Sequence, residues 1–363
     1  MPETPGPRNH PEIDPATTED HKQQPAGTRT GLAVATEPGF PAAGAVPPFS
    51  GLHSVFFGSE GLRAFWSILL FVAIRLALVW CVWPLLHMLL AIEPRTPGIL
   101  RPRFTLASEG AAFVCVAVAT WVMAMIERRP TAAYGLGGKR RVRNFLAGLA
   151  WGVALLSLLV FALRATGLLA FDARLLSGRS ALGYAAVWFV GFLLVGLYEE
   201  YFARGFVQFT LSRGFRGIYG WLGASHADAL GFWTAAFLTS FYFGFRHHIN
   251  PGESPVGLFS AGLIAMVFCL SLWRTGSLWW AIGFHAAWDW AQSFLYGVAD
   301  SGAMFQGHWL STHPIGRPIF SGGTTGPEGS LFVLPVIGLA IAVVLITLPR
   351  THAGHVSVVA SQE

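Results

Sequence analysis

The sequence predicts an all-α polytopic membrane protein, a bundle of about eight transmembrane helices around an intramembrane polar cavity. Three observations predict it. Hydrophobic residues make up 53% of the 363 and charged residues only 12%, whereas a soluble domain carries about 25% charged residues. Several segments run for about 18 apolar residues or more, the length that crosses a bilayer. They are uniformly apolar rather than alternating, which argues against a spanning strand barrel. Ionisable residues also sit inside these segments, where an unpaired charge costs roughly 2.5–3.5 kcal/mol on insertion scales.

Residues 1–55 are rich in Pro, Gly, Thr and charge. They offer too little apolar surface to offset ordering entropy, so a disordered cytoplasmic tail is expected. No apolar leader segment occurs in them, so targeting is expected from the first spanning helix. Spans are expected over 64–92, 106–126, 145–163, 181–211, 231–247, 256–273, 278–296 and 330–348. The first two fall in an N-terminal helical unit, 56–135. A polar, Gly-rich loop covers 301–329, and a short tail follows the last span, 330–348, over 349–363. Arg75 lies within the first span, where it snorkels or pairs inside the bundle. Cys81, Cys115 and Cys269 all fall in apolar segments and read as small buried hydrophobes.

The formal net charge is only +5, and the basic residues cluster between Glu127 and Arg143. That is a topology signal rather than a nucleic-acid patch, and it places the loop in the cytoplasm. With about eight spans, both termini are then cytoplasmic.

The stretch Glu199-Glu200-Tyr201-Phe202-Ala203-Arg204 carries the chemistry. On a helix Glu200 and Arg204 are i and i+4 and can pair. Glu199 is turned about 100° away and is left free to act. His247 ends one apolar segment, just before the break Asn250-Pro251-Gly252, and Gly244 beside it would let another helix approach closely. His285 and Asp289 are again i and i+4 on a third helix. A bundle can gather these groups around one water-filled cavity. A glutamate and a histidine there can deprotonate a bound water, and His285 can donate to a developing oxyanion. That fits addition of water to a peptide carbonyl. Zinc held by Glu199, His247 and His285 is a variant, although the helical H-E-x-x-H signature is absent. The two histidines lie at different depths in their segments, so they meet only if irregular backbone lines the cavity.

These motifs, in this order, resemble the CPBP family, the type II CAAX prenyl endopeptidases and their bacterial relatives, also called Abi proteins. E-E-x-x-x-R is Glu199 to Arg204, F-x-x-x-H is Phe243 to His247, and H-x-x-x-N/D is His285 to Asp289. The resemblance covers roughly residues 180–297, within an expected catalytic core over 136–300. It implies an all-helical intramembrane protease of a bacterial plasma membrane. Glu199 and His247 would activate water, His285 and Asp289 would stabilise the oxyanion, and Glu200 and Arg204 would support them. The implied partner is a peptide or membrane-protein substrate, prenylated in the family's namesake reaction, together with membrane lipids. Asp289 stands where many relatives have Asn. An ionised aspartate would repel an oxyanion, so it must be protonated, act through His285, or do something else. Two other readings compete with the protease: a non-enzymatic immunity or scaffold protein, and a proton-coupled transporter. A transporter should show an inverted repeat, and none is visible.

Overall fold

Each of those apolar segments folds as helix in the computed structural model, which describes residues 51, 53–58, 60–90 and 98–349. The expected tail over 1–55 lies almost wholly outside the described residues, as does that over 349–363. The main helices are α1 (Ala64–Leu90), α2 (Pro102–Ile126), α3 (Arg141–Ala165) and α4 (Gly178–Trp221). They continue as α5 (Ala227–Arg246), α6 (Pro255–Thr275), α7 (Trp279–Trp290) and α8 (Val333–Thr347). Among the described residues, α1, α2, α3, α4 and α6 are long and apolar enough to cross a membrane. The chain is therefore an integral membrane protein of mostly helical structure. The count of about eight spans is coarser than expected: α5 and α7 fall outside that set, and α8 is a shorter apolar helix.

The fourth segment is longer than its apolar run suggests. A π-helical turn, Tyr201–Val207, joins Gly178–Glu200 to Gln208–Trp221 and carries the helix on past the acidic pair. Such widened turns recur at functional sites. A second one, Ala291–Tyr296, extends α7.

The helix carrying His285 is seated on backbone rather than on side chains. Two glycines of α3 one turn apart, Gly148 and Gly152, face α7. A Cβ at Gly148 would lie 2.2 Å from the Trp280 carbonyl oxygen, and one at Gly152 would lie 2.5 Å from that of Phe284. From the other side, a Cβ at Gly283 would lie 2.3 Å from the Phe145 carbonyl oxygen. Small residues at this spacing let helices approach at backbone distance. Trp280, Phe284 and Trp288 then fill a core with Leu155, Leu159 and Val336. A Gly148→Leu substitution is expected to drive α7 out of its seat and destabilise the fold by about 1–3 kcal/mol or more. Thermal unfolding of the purified protein would measure it, and an unchanged midpoint would contradict the close seating. Gly244 plays the expected part between α5 and α6, since its Cβ would lie 2.5 Å from the Leu258 carbonyl oxygen.

Polar clasps tie the remaining helices. Glu127, with its side chain fully buried, accepts from Ser67 Oγ at 2.5 Å, Arg213 Nη2 at 3.1 Å and Tyr134 Oη at 3.2 Å. Part of the basic cluster around residue 129 thus serves this clasp, since Arg129 lies 3.6 Å from the same carboxylate. Arg75 pairs inside the bundle: its Nη2 donates to Tyr198 Oη at 3.0 Å, and its guanidinium lies 5.2 Å from the Phe202 ring centroid. Cys115 and Cys269 are buried as expected, but Cys81 is exposed on the outer face of α1.

The segment after α7 is not a plain loop. Short strands β1 (Ile99–Leu100) and β3 (Met304–Phe305) pair in parallel, and β2 (Leu169–Arg174) pairs antiparallel with β4 (Leu310–Pro314). Gly302 lies so close to the Pro251 carbonyl that a Cβ there would sit 2.0 Å from its oxygen. Thr324 and Thr325 hydroxyls both donate to the Gly252 carbonyl. The 300–329 stretch therefore folds back onto the break after α5.

Candidate active site

Near the end of its first segment, α4 presents two adjacent carboxylates with different surroundings. The Glu200 side chain is fully buried, and the Glu199 side chain is 29% exposed. Arg204 Nη1 donates to Glu200 Oε1 at 2.9 Å, the i,i+4 pair the spacing predicts. The Arg204 guanidinium also lies 4.3 Å from the centroid of the Phe243 ring.

His285 occupies the space between the two acids. Its Nδ1 donates to Glu200 Oε1 at 3.0 Å. Its Nε2 lies 3.7 Å from Glu199 Oε2 and 3.6 Å from Asp289 Oδ2. The ring stacks on Phe268, with centroids 5.7 Å apart. Glu200 is therefore more than half of an ion pair. Its hydrogen bond orients the imidazole, as a second carboxylate commonly does for a working histidine.

His247 opens a tight turn, His247–Ile249, directly after α5. Its Nδ1 donates to the Phe243 carbonyl at 2.8 Å, which leaves Nε2 as the nitrogen available to a ligand. The Phe243 ring contacts both imidazoles, with its centroid 4.8 Å from that of His247 and 6.2 Å from that of His285. The phenylalanine of F-x-x-x-H thus serves three partners: Arg204, His247 and His285.

Glu199, His247, His285 and Asp289 line one cavity of about 730 Å³. The depth mismatch between the histidines is resolved by irregular backbone, because Asn250, Pro251 and residues 300–303 line the same space. From α1, α2 and α4 the cavity is lined by the apolar Trp83, Leu86, Phe104 and Phe192, interspersed with His87, Thr105, Ser108 and Glu109.

The zinc reading fits poorly. Among the described residues, no three His, Cys, Asp or Glu side chains gather as a metal's ligands would. Glu199, His247 and His285 share a cavity without forming such a set, with Phe243 against both imidazoles. No step below runs through a metal.

Three cavity acids carry no motif. Glu109 comes from α2, Asp300 from the last residue of the expected core, and Glu328 from the stretch expected to be a plain polar loop. Glu328 Oε1 accepts from Ser301 Oγ at 2.9 Å, and Asp300 Oδ2 accepts from Ser293 Oγ at 2.9 Å. The signal in the sequence was faint: single acids beside glycines and serines, at no helical spacing. Burial, followed by the nearby Asp289 and Glu328 carboxylates, pushes the Asp300 carboxyl well above the ordinary aspartate value. A folded value raised in this way means stability that is fully present below about pH 3.9 and is lost as pH rises through the folded value. Asp300→Asn keeps an acceptor for Ser293 and removes the titration. Its stability relative to wild type is expected to increase from pH 4 to pH 8 in paired thermal unfolding. A difference constant across that range would contradict the burial of a titrating acid.

Comparison with known families gives one match. Residues 181–291 match the family model for the type II CAAX prenyl endopeptidase, Rce1-like. The match covers just under a third of the chain and contains all seven motif residues, from Glu199 to Asp289. It agrees with the resemblance drawn from the motifs. At family level it supports an intramembrane protease acting on a peptide or protein, and it does not favour the immunity, scaffold or transporter readings. Searches of curated proteins and of solved structures returned no match.

Proposed function

We propose that this protein is an intramembrane endopeptidase that adds a Glu199-activated water to a peptide bond, with CAAX-type C-terminal processing as its family-level activity. The observation that carries the reading is His285, bonded to Glu200 on one nitrogen and facing Glu199 and Asp289 with the other, inside the cavity that His247 also lines.

Glu199, the acid exposed to the cavity, takes a proton from water held between it and His247 Nε2. The hydroxide oxygen bonds to the carbonyl carbon, and the carbonyl oxygen takes up negative charge. His285 Nε2–H donates to that oxygen, held in place by the Glu200 bond at Nδ1. When the C–N bond breaks, the proton on Glu199 passes to the departing amine nitrogen. The balance needs one water and no other reactant. Asp289 acts through His285 rather than on the oxyanion, a role its 3.6 Å distance to Nε2 supports.

The apolar side chains Trp83, Leu86, Phe104 and Phe192 in the cavity lining support a substrate with a lipid-modified or strongly apolar segment. The basic stretch between Glu127 and Arg143 supports cytoplasmic termini by the positive-inside rule.

The test uses the purified full chain in proteoliposomes, given matched prenylated and unprenylated peptides and a pool of membrane peptides, with fragments identified by mass spectrometry. Cleavage near the C-terminus of the prenylated peptide is expected from wild type and not from His247→Ala. Cleavage of unprenylated peptides alone would remove the CAAX assignment. No fragment from any substrate would remove the protease reading.

A further inference from the structure

A second cavity, about 540 Å³, lies between the first turns of α2 and α4. Both helices are long and apolar enough to enter the bilayer, so this groove sits at a membrane boundary. Arg101, Arg103 and Ser180, at the starts of the two helices, line it. Leu106 and Val187 line it deeper along the two helices. By helix rise, Leu106 is about 4.5 Å inward of Arg103 and Val187 about 10 Å inward of Ser180. The groove therefore runs from cationic to apolar with depth, which is the polarity of a phospholipid.

Neighbouring backbone and side chains hold two of its lining residues in place. Gln306 donates its backbone N–H to the Leu100 carbonyl at 2.9 Å and accepts from Trp188 Nε1 at 2.9 Å. Tyr184 is pressed by Gly307, where a Cβ would come within 2.2 Å of the ring. At Gly183, which also lines it, a Cβ would meet nothing within 4 Å. Among the described residues, no acidic side chain lines the groove. Among the described residues, none forms an ion pair with Arg101. A guanidinium fork suits phosphate oxygens.

We propose that this groove binds an anionic glycerophospholipid, its phosphate held by Arg101 and an acyl chain laid along Leu106 and Val187. Arg101 also lines the larger cavity, so the bound lipid abuts the wall of the candidate active site. The proposal does not depend on the protease reading.

Native mass spectrometry of the full-length protein, exchanged into mixed phosphatidylglycerol and phosphatidylcholine, tests it. One phosphatidylglycerol should be retained in preference to phosphatidylcholine. Arg101→Ala should weaken that retention by roughly fivefold, the expectation for one arginine near an anionic headgroup. Gly183→Phe keeps that charge, fills open space and should also lose the lipid. Inorganic phosphate at millimolar concentration should leave the lipid in place. Equal retention of both lipids, or undiminished phosphatidylglycerol on Gly183→Phe, would overturn the site. Displacement by inorganic phosphate would show an anion site without the lipid.

Discussion

Glu199→Gln is expected to abolish peptide hydrolysis while leaving the fold intact. A positioned general base contributes about 10²–10⁴-fold, and the substitution replaces the basic carboxylate with a neutral amide at nearly constant volume. The neighbouring acid is a poor substitute. Glu200 is fully buried, and its Oε1 is already shared between Arg204 and His285. Glu199 is the more exposed of the pair, and its contact with His285 Nε2 is long, at 3.7 Å. Neutralising it should therefore cost little stability. The measurement is initial cleavage rate in proteoliposomes beside a thermal unfolding curve for each protein. A folded Glu199→Gln protein that cleaves within about tenfold of wild type would fall outside the range for a general base and end the proposed mechanism.

Arg204→Met should be the most destabilising single change at the site. Removing one partner of a buried ion pair typically costs about 3–5 kcal/mol, because the other charge is left uncompensated. Here the stranded group is Glu200, whose side chain has no exposed surface. The loss extends to the aromatic contact, since the Arg204 guanidinium lies against Phe243. Adding Glu200→Gln to Arg204→Met should recover much of the stability, giving a coupling energy well above that of independent sites. It should not recover activity, because His285 then has only an amide at Nδ1. Denaturant unfolding of the four proteins in the cycle, with cleavage rates for each, separates the two effects. Additive stabilities would mean that the 2.9 Å contact holds nothing.

The candidate site was largely legible because charge inside an apolar helix is expensive and helical spacing is rigid. Glu200 and Arg204, and His285 and Asp289, face each other as i,i+4 arithmetic requires. What spacing could not reveal was the choice of partner across helices. Glu200 bonds His285 as well as Arg204, and Phe243 links three of the polar groups. The helix count was less legible, for a solvation reason. An apolar residue facing lipid and one buried in protein look alike in sequence, and nearly every residue of α7 is buried in the protein. The stretch after Asp300 was opaque because its conformation is set by close backbone approaches, such as Gly302 on Pro251, rather than by any hydrophobic period.

The seating of α7 has a consequence for biosynthesis. This segment carries His285, Asp289, Gln292 and Ser293, and lipid is a poor solvent for such a helix. Its seat on Gly148 and Gly152 is synthesised well over a hundred residues earlier, and α4 with its two acids also leaves the ribosome before it. During that interval Glu200 has no histidine to bond. It does have Arg204, one turn away on the same helix. The pair thus acts as a built-in counter-ion, formed within a single helix, that lets α4 enter the bilayer ahead of the residues it will later serve.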